Sequence, residues 1–206
     1  MAPSLAAPPG KQVEEETSGW DHYGGDEGGD RYSELIQVEP GNVGRLKVAW
    51  TYRTGELGAG FASADKMAFE ATPILVRDTL YISTPTNIVI ALDPLTGRER
   101  WRHDPHIPRD IHYSEGASRG VSSWVDAEAT PDSACEHRIF IGTLDARLIA
   151  LDGRNGNACA DFGVDGSVDL LQGVHPRVGW AESSKPNDLG AQECWASKTQ
   201  PNLRGT

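Results

Sequence analysis

TLYISTPTNIVIALDPLTGRERW, residues 79–101, decides the architecture, because it returns as RIFIGTLDARLIALDGRNGNACADF from Arg138 to Phe162. The copies align without a gap from Tyr81/Phe140 through Asp93/Asp152 to Gly97/Gly156, a spacing of 59 residues. Each opens with aromatic and β-branched residues (Leu80, Tyr81, Ile82; Ile139, Phe140, Ile141), breaks on polar residues and resumes in an apolar run that closes on Ala-Leu-Asp. Two strands joined by a short connection fit this pattern. Asp93, Pro94, Thr96 and Gly97 form the next turn in the first copy, and Asp152, Gly153, Asn155 and Gly156 form it in the second. A further strand then leads to Trp101, or in the second copy to the Cys159 region. One such unit cannot bury its own apolar face, so the repeat implies a stack: a propeller or another repeated β architecture.

Upstream, LKVAWTYRTGE (46–56) places Trp50 at the end of an apolar strand about 50 residues before Trp101. Tryptophans at such intervals suit the gap between neighbouring sheets, where a large planar ring hides much area. A chain of 206 residues is long enough for one domain. It holds only two clear copies and part of a preceding one, whereas a closed propeller needs at least about four blades. The expectation is an open fragment, or a fold whose missing repeats come from elsewhere.

Nineteen basic against thirty acidic residues give a formal net charge of −11. That field disfavours nucleic-acid phosphate or an anionic membrane as partner. No apolar run approaches the roughly 20 residues that cross a bilayer. The first 19 residues, MAPSLAAPPGKQVEEETSG, lack a basic start followed by an apolar core. They read as a flexible leader with no visible signal peptide. Cys135 and Cys159 flank the two strands of the second copy and are placed for a disulfide at one edge, which would imply an oxidising compartment; two reduced thiols are the alternative. Cys194 is left over, with no oriented base nearby in sequence.

Familiar motifs are absent: no glycine-rich dinucleotide fingerprint, no phosphate loop, no zinc spacing. In YGGDEGGD (23–30), Asp26, Glu27 and Asp30 do not follow the helix-loop-helix calcium spacing and read as a solvated turn. His103, His106 and His112 lie in polar turns, with a surface role for His112 favoured over a place in a cofactor mouth. Three polar residues beside the repeat strands remain: Glu70 before ATPILV, Arg119 in SRGVSSW and Thr143 in GTLDARLIALD. In a radial β architecture such positions converge on a central pocket. There Arg119 offers a bidentate contact to a carboxylate or quinone oxygen, and Glu70 and Thr143 offer shorter polar contacts.

With these residues a resemblance becomes specific. YGGDEGGDRYSELIQVEPGNVGRLKVAWTYRTGE, FEATPILVRDTLYISTPTNIVIALDPLTGRERW, RGVSSW and CEHRIFIGTLDARLIALDGRNGNACADFGVDGSVDLLQGV, in that order, resemble the N-terminal part of the pyrroloquinoline-quinone (PQQ)-dependent glucose and alcohol dehydrogenases. The resemblance implies an all-β fold, a partial eight-bladed β-propeller of the quinoprotein dehydrogenase type. It covers 20–174, read as propeller; 1–19 read as a flexible leader, and 175–206, where the repeat pattern is lost, as an atypical or disordered tail. Glu70 and Arg119 correspond to the family's cofactor-contacting glutamate and to the arginine on the quinone oxygens, and Thr143 resembles the polar strand residue beneath the cofactor. The glucose-oxidising branch also carries cysteines flanking this repeat, which supports pairing Cys135 with Cys159. PQQ and calcium are the cofactors implied, an alcohol or aldose and an electron acceptor the partners, and the periplasm the compartment.

The chain also departs from the family. IHYSEGASRG lacks the two adjacent cysteines that alcohol dehydrogenases place before the arginine, and Ser118 stands where the glucose branch commonly has cysteine. No calcium ligand and no catalytic base is recognisable; Trp180, Trp195 and Asp188 lie past the repeat pattern and are not assigned the stacking or catalytic roles. The expectation is a dehydrogenase-like protein that is poorly active alone, or else a noncatalytic propeller fragment or protein-interaction scaffold.

Overall fold

The structure is a computed structural model that describes residues 19–56, 60–62 and 64–172. Most of the leader and all of the tail 175–206, with Trp180, Asp188, Cys194 and Trp195, lie outside the described residues. The regular structure of the described residues is almost all β, ten short strands with two single 3-10 turns, and the rest is turn and irregular chain. β1 (Met67–Phe69) precedes β2 (Ile74–Val76), β3 (Thr79–Ser83), β4 (Val89–Leu92) and β5 (Glu99–His103). β6 (Gly116–Ser118) precedes β7 (Ser122–Val125), β8 (His137–Gly142), β9 (Arg147–Asp152) and β10 (Ser167–Asp169). β2-β3-β4-β5 and β7-β8-β9-β10 are two antiparallel four-stranded sheets in chain order, and β1 and β6 form a separate parallel pair.

Local chemistry sets each turn. Arg77 and Asp78 both take positive φ, +46° and +57°, as a two-residue hairpin requires if it is to match strand twist. In the longer β3–β4 and β8–β9 connections the repeat-equivalent Thr84 and Thr143 close the loop the same way. Each hydroxyl accepts the N–H of the residue four positions on, Ile88 and Arg147, at 3.0 Å. Asp93 Oδ1 accepts the backbone N–H of Leu95 and Thr96, and Asp152 Oδ1 that of Arg154, which fixes the turn after each Ala-Leu-Asp.

Period-2 alternation divides the core into two layers. Ile74, Val76, Tyr81, Val89, Ala91 and Trp101 from the first sheet meet Val121, Ile139, Ile141, Ile149 and Leu151 from the second. On the opposite face of the first sheet Ile82, Ile88, Ile90 and Leu92 pack against Trp50, Tyr52 and Leu80. The positions that face backward in sheet two (139, 141, 149, 151) are the repeat equivalents of 80, 82, 90 and 92, so each sheet meets the part of the chain before it, 46–56 for the first sheet and the first sheet for the second, with the same face.

Two tryptophans key these layers. Trp50 Nε1 donates to the Pro94 carbonyl at 2.9 Å, and Trp101 Nε1 donates to the carbonyl of Gly153, the repeat equivalent of Pro94, at 2.9 Å. A Cβ on Gly97 would lie 2.5 Å from the Trp50 indole, and one on Gly156 would lie 2.5 Å from that of Trp101. The glycine of each Asp-x-x-x-Gly turn is thus required by a ring from the preceding layer. Tyr81 Oη donates to the same Gly153 carbonyl, and Arg77 forms a bidentate pair with buried Glu136, both contacts at 2.8 Å, so the second sheet is tied to the first by polar bonds as well as by apolar area.

Two sequence expectations change. LKVAWTYRTGE is not a hydrogen-bonded strand: residues 46–56 have no regular secondary structure, Trp50 and Tyr52 pack against the first sheet, and no described strand pairs with them. The fourth strand of the second copy is also interrupted. Ala158 bridges Leu151, a turn occupies 160–166, and pairing resumes as β10 against β9. At that interruption a disulfide joins Cys135 to Cys159, with Cα atoms 5.8 Å apart.

Gly156→Ala is expected to cost about 2–4 kcal/mol, combining an alanine at φ +74° with a clash against Trp101. Trp101→Phe, which removes only the indole bond and some area, should cost about 1–2 kcal/mol; Gly142→Ala, with open space at its Cβ, should stay within about 0.5 kcal/mol. Urea titration of the three variants checks the order. Replacing Cys135 and Cys159 by serine opens a 24-residue separation and should lower stability by about 3 kcal/mol. A reductant should then shift the urea midpoint of the parent but not of the variant.

Burial holds the His103 and His137 imidazoles below the usual histidine value of 6.5, the charge of Arg77 adding to the effect at His137. About one pH unit above that value both rings are largely neutral whether the chain is folded or not. As pH falls below that value the unfolded chain takes up protons that the folded chain refuses, so stability declines until the folded values are passed. Glu136 and Asp93, held below the usual carboxylate range by the hydrogen bonds of Arg77 and Arg100, contribute to loss of stability only at more acid pH. The urea midpoint should therefore fall between pH 7.5 and 5.5, and His137→Gln should flatten that slope.

Candidate functional site

Glu70 and Arg119 meet because β1 and β6 pair in parallel. Their register runs Met67↔Gly116, Ala68↔Ala117 and Phe69↔Ser118, so the first residue past each strand is Glu70 on one and Arg119 on the other. Arg119 Nη1 lies 2.8 Å from Glu70 Oε2. Thr72 N–H donates to the Arg119 carbonyl at 3.3 Å, and Gly120 follows at φ +136°, with a notional Cβ only 3.1 Å from the Thr72 carbonyl. Glycine after the arginine thus lets the chain pass Thr72 and enter the second sheet. Beneath the pair, Ser118 Oγ and Ser83 Oγ form a buried hydrogen bond at 2.6 Å.

The ion pair itself stabilises little. The Arg119 side chain is 77% exposed and that of Glu70 33% exposed, and solvated pairs of this kind contribute about 0–1 kcal/mol. The arrangement instead presents a planar guanidinium to solvent, with its backbone held and its carboxylate partner easily exchanged for another anion.

Thr143 lies elsewhere in the network. It is the first residue after β8 rather than a strand residue, and it is half-buried. Its hydroxyl donates to Asp145 Oδ1 and accepts the Arg147 N–H. Arg147 in turn donates from Nε to Asp145 at 2.9 Å and from Nη2 to the Pro105 carbonyl at 2.7 Å. Asn87, in the matching turn of the first sheet and almost wholly buried, accepts the Leu144 N–H at 2.8 Å. Because β2 and β7 start at the same sheet ends where β3, β4, β8 and β9 turn round, these loops and the Glu70–Arg119 pair belong to one rim. Every hydroxyl bond described for Thr143 stays within its own turn, and none reaches Glu70 or Arg119. His112 is exposed. The parallel β1–β6 pairing and the Ser83–Ser118 bond carry no motif and escape sequence reading.

Across its rim and turns the chain carries the local sequence of a known family. Residues 20–191 match the model of the PQQ glucose/ethanol/alcohol dehydrogenase β-propeller domain. The chain belongs to the PQQ-dependent quinoprotein glucose/alcohol dehydrogenase family. It is 38% identical over 178 residues to the glycerol dehydrogenase large subunit of Gluconobacter oxydans, covering 86% of this chain and 23% of that one. It is 38% identical over 167 residues to quinoprotein glucose dehydrogenase A of Acinetobacter calcoaceticus, covering 75% and 21%. Among solved structures, the quinohemoprotein alcohol dehydrogenase of Comamonas testosteroni aligns with a TM-score of 0.56 at 28% identity, over 76% of this chain and 20% of that one. The chain thus spans about a fifth to a quarter of the length of these relatives. Its fold is predominantly β-sheet and related to the propeller-type dehydrogenases, and the described residues form no closed propeller. No helix among the described residues is long and apolar enough to cross a membrane.

The two implied cofactors fare differently against the donor set. An exposed guanidinium beside a carboxylate suits the carboxylates and quinone oxygens of PQQ. Calcium asks for six to eight oxygen ligands. Among the described residues the one cluster of three potential metal-binding side chains is Cys135, Cys159 and Asp161, and its two sulfurs are bonded to each other. That cluster does not fit calcium.

Proposed function

We propose that this chain supplies one wall of the cofactor site of a PQQ-dependent dehydrogenase, as a portion of an eight-bladed propeller whose substrate is an alcohol or aldose. The observation that carries the reading is the parallel β1–β6 pair, which sets Arg119 beside Glu70 at the rim with its guanidinium open to solvent. In this reading residues 20–174 are propeller, 1–19 a leader and 175–206 an appended tail. Arg119 binds the quinone oxygens or a carboxylate of PQQ. Glu70 orients that guanidinium and accepts a hydrogen bond from the ligand. Thr143 joins as a third contact by giving up its bond to Asp145.

Held by Arg119 and Glu70, PQQ would supply the hydride acceptor for oxidation of the alcohol or aldose and the route for the electrons to an external acceptor. The described residues contribute binding and orientation to that reaction. Glu70, the carboxylate beside Arg119, is held in an ion pair and is given the orienting role, and no calcium donor set is present among the described residues, so neither proton abstraction nor metal binding is assigned to them. In this reading the chain alone catalyses weakly. The Cys135–Cys159 disulfide favours an oxidising compartment such as the periplasm.

The test is a tryptophan-fluorescence titration of the full 206-residue chain with PQQ, with and without calcium, followed by dye reduction on the loaded samples. The expected result is saturable binding that weakens about tenfold or more in Arg119→Ala, in line with loss of a charge-assisted contact. Dye reduction should be slow. A folded chain that binds no PQQ, or an Arg119→Ala variant that binds as well as the parent, overturns the reading and leaves a noncatalytic propeller fragment or scaffold.

A further inference from the structure

We infer that Ser83 is a positioning residue for Arg119, holding the guanidinium-bearing segment to the first sheet through the buried Ser83–Ser118 hydrogen bond. The inference rests on the reading of Arg119 as a cofactor contact and deepens it. β6 is only three residues long, and its strand partner β1, equally short, belongs to neither four-stranded sheet. Two such strands cannot set the place of a side chain by themselves; they need an anchor in a rigid element.

By sequence Arg119 leads into the second sheet, two residues before Val121. Its recorded anchors point the other way. Ser118 Oγ bonds Ser83 Oγ at 2.6 Å, and the Arg119 carbonyl accepts the N–H of Thr72, in the lead-in to β2. Ser83 is the last residue of β3, fully buried and paired in register with Val89 of β4, so its hydroxyl stands on a sheet-bound strand. Glu70 stands on the same lead-in to β2. Arg119 and Glu70 are therefore referenced to one rigid sheet although they stand 49 positions apart in the chain. The Ser83 hydroxyl supplies the buried side-chain part of that coupling, beside the Thr72–Arg119 backbone bond and the β1–β6 pairing. Without it Ser118 keeps a buried polar atom with no partner, and β6 is free to relax away from the sheet.

Ser83→Ala is tested in the full chain by two measurements, PQQ titration and NMR detection of the Arg119 side-chain Nε–H and backbone amide. The expected result is a dissociation constant raised about tenfold, with Arg119→Ala adding little in the Ser83→Ala background because both remove the same contact. The Arg119 signals should shift and broaden while the β4 amides hold still. Ser118→Ala breaks the same bond from the other side and should reproduce both effects. If the parent fails to bind PQQ but the Arg119 signals still respond to Ser83→Ala, the positioning role stands and the cofactor reading falls. If the parent binds PQQ and neither affinity nor the Arg119 signals change in either variant, the positioning role is overturned. It is equally overturned if both variants unfold, since the bond then supports the fold as a whole.

Discussion

The constraint on which the rest depends is the seating of an indole from one layer on the turn of the next. Trp101 gives its Nε1–H to Gly153 and lays its ring where Gly156 has no side chain; Trp50 does the same at Pro94 and Gly97. Each contact fixes both the spacing and the in-plane position of a sheet against the layer before it, the first sheet in the case of Trp101 and the irregular segment 46–56 in the case of Trp50, because the hydrogen bond is directional whereas apolar burial is not. The apolar layers on either side of the first sheet then follow from simple alternation along β3, β4, β8 and β9. With the sheets so placed, the turns at their far ends fall on one rim, and the short parallel pair at that rim brings Glu70 and Arg119 together.

Much of this was legible in the residues. The ungapped repeat gave β3, β4, β8 and β9 almost to the residue, since period 2 and the Asp-x-x-x-Gly turn are local signals. Residues 46–56 misled for a physical reason. Their alternation is that of a strand, and Trp50 and Tyr52 do face a sheet, but a strand also needs a neighbour for its backbone, which alternation cannot reveal. The broken fourth strand of the second copy was hidden likewise. Gly163 and Gly166, both at positive φ, mark the detour, yet the sequence around them still looks like the end of a repeat.

The rim was less legible than the sheets. Glu70 and Arg119 were singled out by type and by resemblance, and the structure adds why they meet: a three-residue register that no propensity scale detects. Thr143 shows the opposite case, a residue whose hydroxyl is occupied by the closure of its own turn, in the manner of Thr84. Polar residues in equivalent turns of a repeat first serve the turn, and a ligand role must compete with that service.

The offset built into the tryptophan contacts has a consequence for how lesions would be mapped onto phenotype. Gly156 belongs to the second sheet by sequence, but the atoms a side chain there would strike belong to Trp101 of the first. Damage at one repeat is therefore felt in the repeat before it. Genetic suppressors of a change in such a turn should be sought not among its neighbours in the chain but some fifty residues upstream, around the indole that the turn was shaped to receive.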